Sequence, residues 1–347
     1  MTGLSRFLFQ KWNLPADETT SFAGKTVLIT GGTSGLGLEA AQKIAALNPS
    51  KLIITARDVK KGQLAKEQIV RFSRTAKRST GVADVDVTVC TLKMDDFASV
   101  KAFAKEICAD VPVLHAVILN VGLTNRAWSK SVEGWEDTLQ VNTLSTTLLA
   151  LSLLPKLLST ASVKAPAHLT VISSGLAREV KPDFARKYYD SPSALQAMSA
   201  EKAWPGGPIQ YGLSKLLLEY SMRKIATCPS VAPPSGVTVV INSACPGMCK
   251  TNLARQYTEK NILFRIIVWV SFLFFGRSAE AGSRTYVSAL TRGPESQGRM
   301  WKDDRYYDGG EMVESADGQR FAGKMWKEVV GVMEAAQPKV TAILAAG

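Results

Sequence analysis

The chain has 347 residues, 46% hydrophobic and 21% charged, which is the make-up of an ordinary folded protein with a good-sized core. It is basic, with 42 Lys and Arg against 30 Asp and Glu, yet no Lys/Arg block with interleaved aromatics occurs; this argues against nucleic acid and suits a polyanionic small ligand. The odd number of cysteines (90, 108, 228, 245 and 249) argues against a disulfide framework and for a reducing, intracellular setting, and with His115 and His168 as the only histidines the pair Cys245/Cys249 lacks partners for zinc, so no metal is expected.

Residues 1–23 read as an N-terminal extension without the long apolar run of a secretory signal. Its short apolar stretch, Leu4 to Trp12, is expected to pack on the core, with a membrane-surface contact as the alternative. The first strand is expected over 25–30 and the first helix over 36–47. Between them lies "TGGTSGLG", with Gly31, Gly35 and Gly37 in a strand-to-helix turn. Glycine admits positive φ and close approach of a ligand, and a helix N-terminus offers free amides to a phosphate. Gly31, Thr33, Ser34, Gly35, Leu36 and Gly37 are therefore candidate nucleotide contacts.

Further strands are expected over 51–55, 85–91, 113–119, 168–173 and 237–243, with a weaker one near 297–301. Helices are expected over 60–76, 97–109, 133–158, 209–227 and 278–291. This alternation predicts an α/β fold with one doubly wound parallel sheet of the Rossmann type and helices on both faces. Residues 176–208, rich in Pro and Gly, read as an insertion or loop.

Ligands on such sheets bind at the carboxyl ends of the strands. After the second strand, Ala56 stands where an acid would hold the ribose of NAD, and Arg57 follows; an arginine suits a 2′-phosphate, which points to NADP(H). Asp58 is the competing group, either as a partner for Arg57 or as an acid that approaches the ribose itself. After the fourth strand, Asn120 and Gly122 in "LNVG" fit close approach to a ribose. Asn142 falls on an apolar helix face, as a structural bond or part of a proton relay. After the fifth strand come Ser173 and Ser174, and then Tyr211 and Lys215 at i, i+4 in "QYGLSK". A lysine beside a phenol favours the phenolate and would lower the tyrosine pKa. After the sixth strand, "CPGMCKT" supplies the Pro246-Gly247 turn and the Thr251 hydroxyl.

The ordered set of these motifs resembles the short-chain dehydrogenase/reductase family over roughly Gly24 to Trp326, leaving 327–347 as a C-terminal tail. "TGGTSGLG" fits the family's TGxxxGxG, and "LNVG" stands for its N-A-G with Val121 in place of alanine. Asn142, Ser174, Tyr211 and Lys215 fall where the catalytic tetrad falls, and Pro246, Gly247 and Thr251 where the family contacts the nicotinamide. Lys93 replaces an aspartate that touches adenine in relatives. The long gap from Ser174 to Tyr211 and the strings "RDVKKG" and "YGLSKLLLEY" look like the retinol-dehydrogenase-like branch, nearest to fungal members of secondary-metabolite pathways.

The resemblance implies an NADP(H)-dependent oxidoreductase. Tyr211 would act as proton donor, Ser174 would hydrogen-bond the substrate oxygen, Lys215 would tune the tyrosine and hold the ribose, and Asn142 would bind a relay water. The run 262–275 is apolar but too short to span a membrane, which needs about twenty residues. It reads as part of a substrate lid over about 252–276, with peripheral membrane contact as the alternative. Its content points to a lipophilic ketone or alcohol such as a polyketide or terpenoid. A retinol- or steroid-like dehydrogenase at a membrane surface and a non-catalytic nucleotide-binding scaffold are the competing readings.

Overall fold

A computed structural model describes residues 10–76, 84–250, 253 and 276–345. Its strands are β1 (Thr26–Ile29), β2 (Lys51–Ala56), β3 (Asp86–Thr91), β4 (Ala116–Leu119), β5 (Ala167–Ile172), β6 (Val239–Ala244), β7 (Met300–Lys302) and β8 (Arg305–Tyr307). They form one sheet in the order β3-β2-β1-β4-β5-β6-β7-β8. Every neighbouring pair is parallel except the last, in which Trp301 faces Tyr306 across an antiparallel hairpin. The hairpin turns on Asp303 and Asp304, with φ of 52° and 53°, the left-handed pair that a two-residue hairpin turn requires.

The helices are α1 (Gly35–Ala46), α2 (Val59–Ala76), α3 (Phe97–Asp110), α4 (Asp137–Thr160), α5 (Pro182–Arg186), α6 (Ala194–Ser199), α7 (Gly207–Ala226), α8 (Ala279–Leu290), α9 (Glu311–Glu314) and α10 (Ala316–Ala336). Side chains alternate across the sheet, so each central strand feeds two cores. Val27, Ile29, Leu52 and Ile54 pack under α1, α2 and α8. Leu28, Ile53, Val117 and Leu169 pack under α3, α4, α7 and α10. Strands buried on both faces are why these segments read as unbroken apolar runs. The order reverses direction at β1, which is flanked by β2 and β4, and the open crevice at that point is where this architecture takes ligands.

Three regions add to the sequence reading. The segment 176–208 holds α5 and α6 and buries Ala185, Tyr188, Leu195 and Met198 in the core, so much of it is ordered helix. The helix α10 runs unbroken through position 327 and buries Met325, Val329 and Met333. Its end is tied down by Lys101 Nζ, which donates to Ala336 O at 2.8 Å, and the short α9 just before it is held by Tyr220 Oη, which donates to Met312 O at 2.7 Å. The helix α4 is long and apolar enough to cross a membrane, but its apolar stretch is 83% buried inside the fold, as befits a core helix. The run 262–275, the rest of the expected lid except Leu253 and Gly276, and Thr251 lie outside the described residues.

Candidate active site

The glycine turn is shaped by close approaches. Gly31 has φ of 71° and Gly35 of 53°. A Cβ on Gly37 would lie 2.3 Å from Gly31 O, and one on Gly31 would lie 2.9 Å from Val121. The start of α1 can reach the turn only because these side chains are missing. Val121, the departure from the family's alanine, packs directly on that turn. Ser34 occupies the N-cap of α1 without a side-chain cap bond, and no acid lies in the first turn. Those uncapped amides, with the helix dipole behind them, suit a phosphate. Thr33 stays partly exposed beside them, and Leu36 leans towards Gly282 of α8, where an added Cβ would meet it at 2.8 Å.

Asn120 serves this turn from the side. Its Nδ2 donates to Thr30 O at 2.9 Å and Gly31 O at 3.3 Å, while Thr30 Oγ1 accepts from the Asn120 amide at 2.9 Å. The side chain thus supports the turn through the Thr30 and Gly31 carbonyls just after β1. Thr55 Oγ1 accepts from the Gly31 amide at 3.0 Å. Two residues on, Arg57 is exposed and makes no hydrogen bond or ion pair among the described residues. Asp58 does not pair with it; its Oδ1 accepts from the Lys61 amide at 3.2 Å at the start of α2. Lys93 is exposed after β3, and Asp96 behind it caps α3 by accepting from the amides of Ala98 and Ser99.

The four polar residues of the expected tetrad come together at the ends of β4 and β5. Asn142 lies in a widened, π-type stretch of α4 (Gln140–Ser145), a distortion that often marks functional sites. Its Oδ1 accepts from Leu123 N and its Nδ2 donates to Leu123 O, both at 2.9 Å, and Nδ2 also donates to Ser214 Oγ at 2.9 Å. The amide thus pins the strand-end loop to α7, and only Oδ1 keeps acceptor capacity for a water. A Cβ on Gly122 would lie 3.2 Å from Asn142 Oδ1 and 3.3 Å from Lys215 Nζ, so glycine is what lets the loop pass these groups. Lys215 Nζ donates to Ile172 O at 2.6 Å and lies 5.8 Å from the centroid of the Tyr211 ring. Ser174 Oγ accepts from Leu176 N at 3.2 Å at the mouth of the same crevice.

Burial dominates the titration here. It pushes the Tyr211 phenol above its ordinary value, Cys245 adds to the rise, and the Ser174 hydroxyl opposes it. This corrects the expectation that Lys215 lowers the tyrosine. Burial also lowers Lys215 to about 8, against the pull of Glu219 and Cys245. Tyr211 is therefore held in its proton-bearing form at neutral pH, whereas Lys215 can lose its charge under mild alkaline conditions.

A short-chain dehydrogenase family profile matches residues 25–203. The chain is 38% identical to the short-chain dehydrogenase/reductase phmF of Phaeosphaeria nodorum over 98% of this chain and 95% of the relative. It is 37% identical to the short-chain dehydrogenase/reductase ffsI of Aspergillus flavipes over 99% and 96%. The chain belongs to the short-chain dehydrogenase family. Its fold matches the Pseudomonas aeruginosa RhlG/NADP active-site complex with a TM-score of 0.58 at 22% identity, covering 84% of this chain and 97% of that one. As a family member it is an oxidoreductase that acts on CH–OH and C=O groups with a nicotinamide cofactor.

The Pro246-Gly247 turn of this short-chain dehydrogenase follows β6 on the same side of the sheet, with Gly247 at φ of 76°. Cys245, just before it, accepts at Sγ from the Gly175 amide at 3.2 Å and so joins the turn to the loop that carries Ser174. Cys245 and Cys249 are free, buried thiols. His115 Nδ1 accepts from the Thr26 amide, and His168 Nε2 meets Arg292 O. Sequence reasoning missed the supporting residues Thr30, Thr55 and Cys245. A threonine or cysteine at a strand end carries no motif of its own, and its role exists only once the strands are side by side.

Proposed function

We propose that this short-chain dehydrogenase is an NADP(H)-dependent reductase of a ketone on a lipophilic small molecule, run in reverse on the corresponding alcohol. The observation that carries the reading is the meeting of Tyr211, Ser174, Lys215 and Asn142 at the strand ends beside an uncapped glycine turn. The residues present fit a dinucleotide: a cradle that Cβ atoms would fill, amides free for a pyrophosphate, and Arg57 exposed beside the turn. Gly31 to Gly37 would hold the pyrophosphate, Arg57 a 2′-phosphate, Gly122 and Lys215 the nicotinamide ribose, and Pro246-Gly247 the nicotinamide edge.

A nicotinamide held there would supply or accept the hydride. Tyr211 gives its phenolic proton to the substrate oxygen as charge develops there, and its raised pKa keeps that proton in place at neutral pH. Ser174 hydrogen-bonds the same oxygen. The Lys215 ammonium stabilises the phenolate left behind. Asn142 holds the Gly122–Leu123 loop at the distance these groups need.

The fungal relatives, together with the apolar content of 262–275, support a substrate of polyketide or terpenoid type in a secondary-metabolite pathway, inside the cell. A fluorescence titration tests the cofactor reading. NADPH should bind at least about tenfold tighter than NADH, and Arg57→Ala should remove most of that difference, since charge-assisted bonds contribute about 1.5–3 kcal/mol. Equal binding of the two nucleotides, or an equal loss of both in the variant, would remove the 2′-phosphate from the reading.

A further inference from the structure

We propose that the N-terminal segment is a clasp on the Pro246-Gly247 turn, with Gln10 and Arg277 as positioning residues that set the nicotinamide end of the cofactor site. The inference rests on the reading above that this turn meets the nicotinamide.

Gln10 lies 238 positions from Met248 yet brackets its backbone: Gln10 Oε1 accepts from Met248 N at 3.2 Å, and Gln10 Nε2 donates to Met248 O at 3.3 Å. The side chain thus imitates a strand neighbour for a single residue of the turn. It also accounts for the glycine next door, because a Cβ on Gly247 would lie 2.3 Å from Gln10 Oε1. The positive φ of Gly247 and the seat of Gln10 demand the same residue independently.

Arg277 locks the clasp from beneath. Its side chain is fully buried. Nε donates to Gln10 O and Nη2 to Asn13 O, each at 2.7 Å, and Nη1 donates to Pro246 O at 3.5 Å. Asp303, at 2.6 Å from Nη1, balances the charge. The Arg277 amide donates to Met248 O at 2.9 Å, and Arg277 O accepts from Lys250 N at 3.0 Å. A buried guanidinium needs nearly all of its planar donors answered. Here the answers come from the N-terminal segment, the turn and the β7–β8 hairpin at once, so the three hold one another in a single arrangement. Asp304 continues the seam by accepting at Oδ2 from the Ala16 amide at 2.7 Å. On its other side the turn reaches the catalytic loop through Cys245 and the Gly175 amide.

This arrangement separates the two ends of the cofactor site. The glycine turn and Arg57 are held by β1, β2 and β4, whereas the Pro246-Gly247 turn is held by residues outside the sheet. Loss of the clasp should therefore weaken the nicotinamide end alone.

The experiment uses the full chain with Gln10→Met, which keeps bulk without the two bonds, and Gln10→Ala. Hydrogen–deuterium exchange at the Met248 amide is read first, followed by dissociation constants for NADPH and for adenosine 2′,5′-bisphosphate, which lacks the nicotinamide half. In both variants the Met248 amide should exchange at least about tenfold faster, NADPH should bind about threefold to tenfold more weakly, and the bisphosphate should change by less than about twofold. The melting temperature should fall by less than about 3 °C. Equal losses for both ligands, unchanged NADPH binding, or an effect of Ala without one of Met would overturn the clasp. A wild-type protein that binds the bisphosphate but not NADPH would also overturn it. Failure of the wild type to bind either ligand would instead bring down the cofactor reading on which the clasp rests.

Discussion

The two halves of the sheet build their share of the crevice by different means. In the half made of β1 to β4, the parts lie close in sequence or are held by sheet neighbours: Gly31 is fixed by Thr55 of the adjacent strand and by Asn120 at the end of the next. In the half from β5 onward, the parts are held from far away. Lys215 reaches across to Ile172 O, Asn142 to Ser214, and the Pro246-Gly247 turn hangs on Gln10 and Arg277. The family profile ends at residue 203, before the Tyr211 helix and this turn, although the fungal relatives align over nearly the whole chain. The glycine turn is thus built locally, and the arrangement around Tyr211, Lys215 and the Pro246-Gly247 turn is long-range.

The sharpest way to break this contrast is Tyr211→Phe. It should lower ketone reduction by about a hundredfold to ten-thousandfold, the range of a general acid, while NADPH affinity stays within about twofold. A variant that turned over at a comparable rate would take Tyr211 out of the chemistry.

A smaller effect is expected from Met333→Ala, in the helix that closes the second half. Met333 is fully buried in the core on that face of the sheet, so truncation should cost about 2–5 kcal/mol in denaturant unfolding. If the long-range view is right, turnover should suffer before binding of adenosine 2′,5′-bisphosphate does. A variant of unchanged stability would show that α10 is a loose addition rather than part of the core.

The smallest effect is a pH dependence. Burial disfavours the charged form of Lys215, which therefore loses its proton as pH rises through about 8. Tyr211 is shifted the opposite way and stays protonated over the same interval. The rate of reduction should hold from pH 6 to 7.5 and then fall by up to about tenfold per unit above 8. A profile flat to pH 9.5 would mean that the Lys215 charge is not needed, or that the bound cofactor restores its pKa.

Much of the first half was legible in the sequence because its signals are local. "TGGTSGLG" between an apolar run and a helix former places a turn, and burial of β1, β2 and β4 on both faces makes those runs easy to find. Tyr211 and Lys215 were legible as a spacing, although the direction of the tyrosine shift was not: burial disfavours the charged form of both groups, and for the phenol it outweighs the neighbouring charge. Asn120 was legible as a polar strand end, but that its side chain supports the Thr30 and Gly31 backbone was not. Asp58 was read as a rival for Arg57 and instead caps a helix, a choice made by the geometry of α2 alone.

By itself the sequence determined the parallel core of the sheet, the helices between its strands and the side of the sheet on which polar residues gather, since these follow from periodicity, strand burial and turn chemistry within short windows. Only the tertiary structure decided what holds Met248, what compensates Arg277, why Gly247 is glycine, and where α10 docks. Each of those depends on atoms brought together across long stretches of chain, and no local pattern of residues encodes such a meeting.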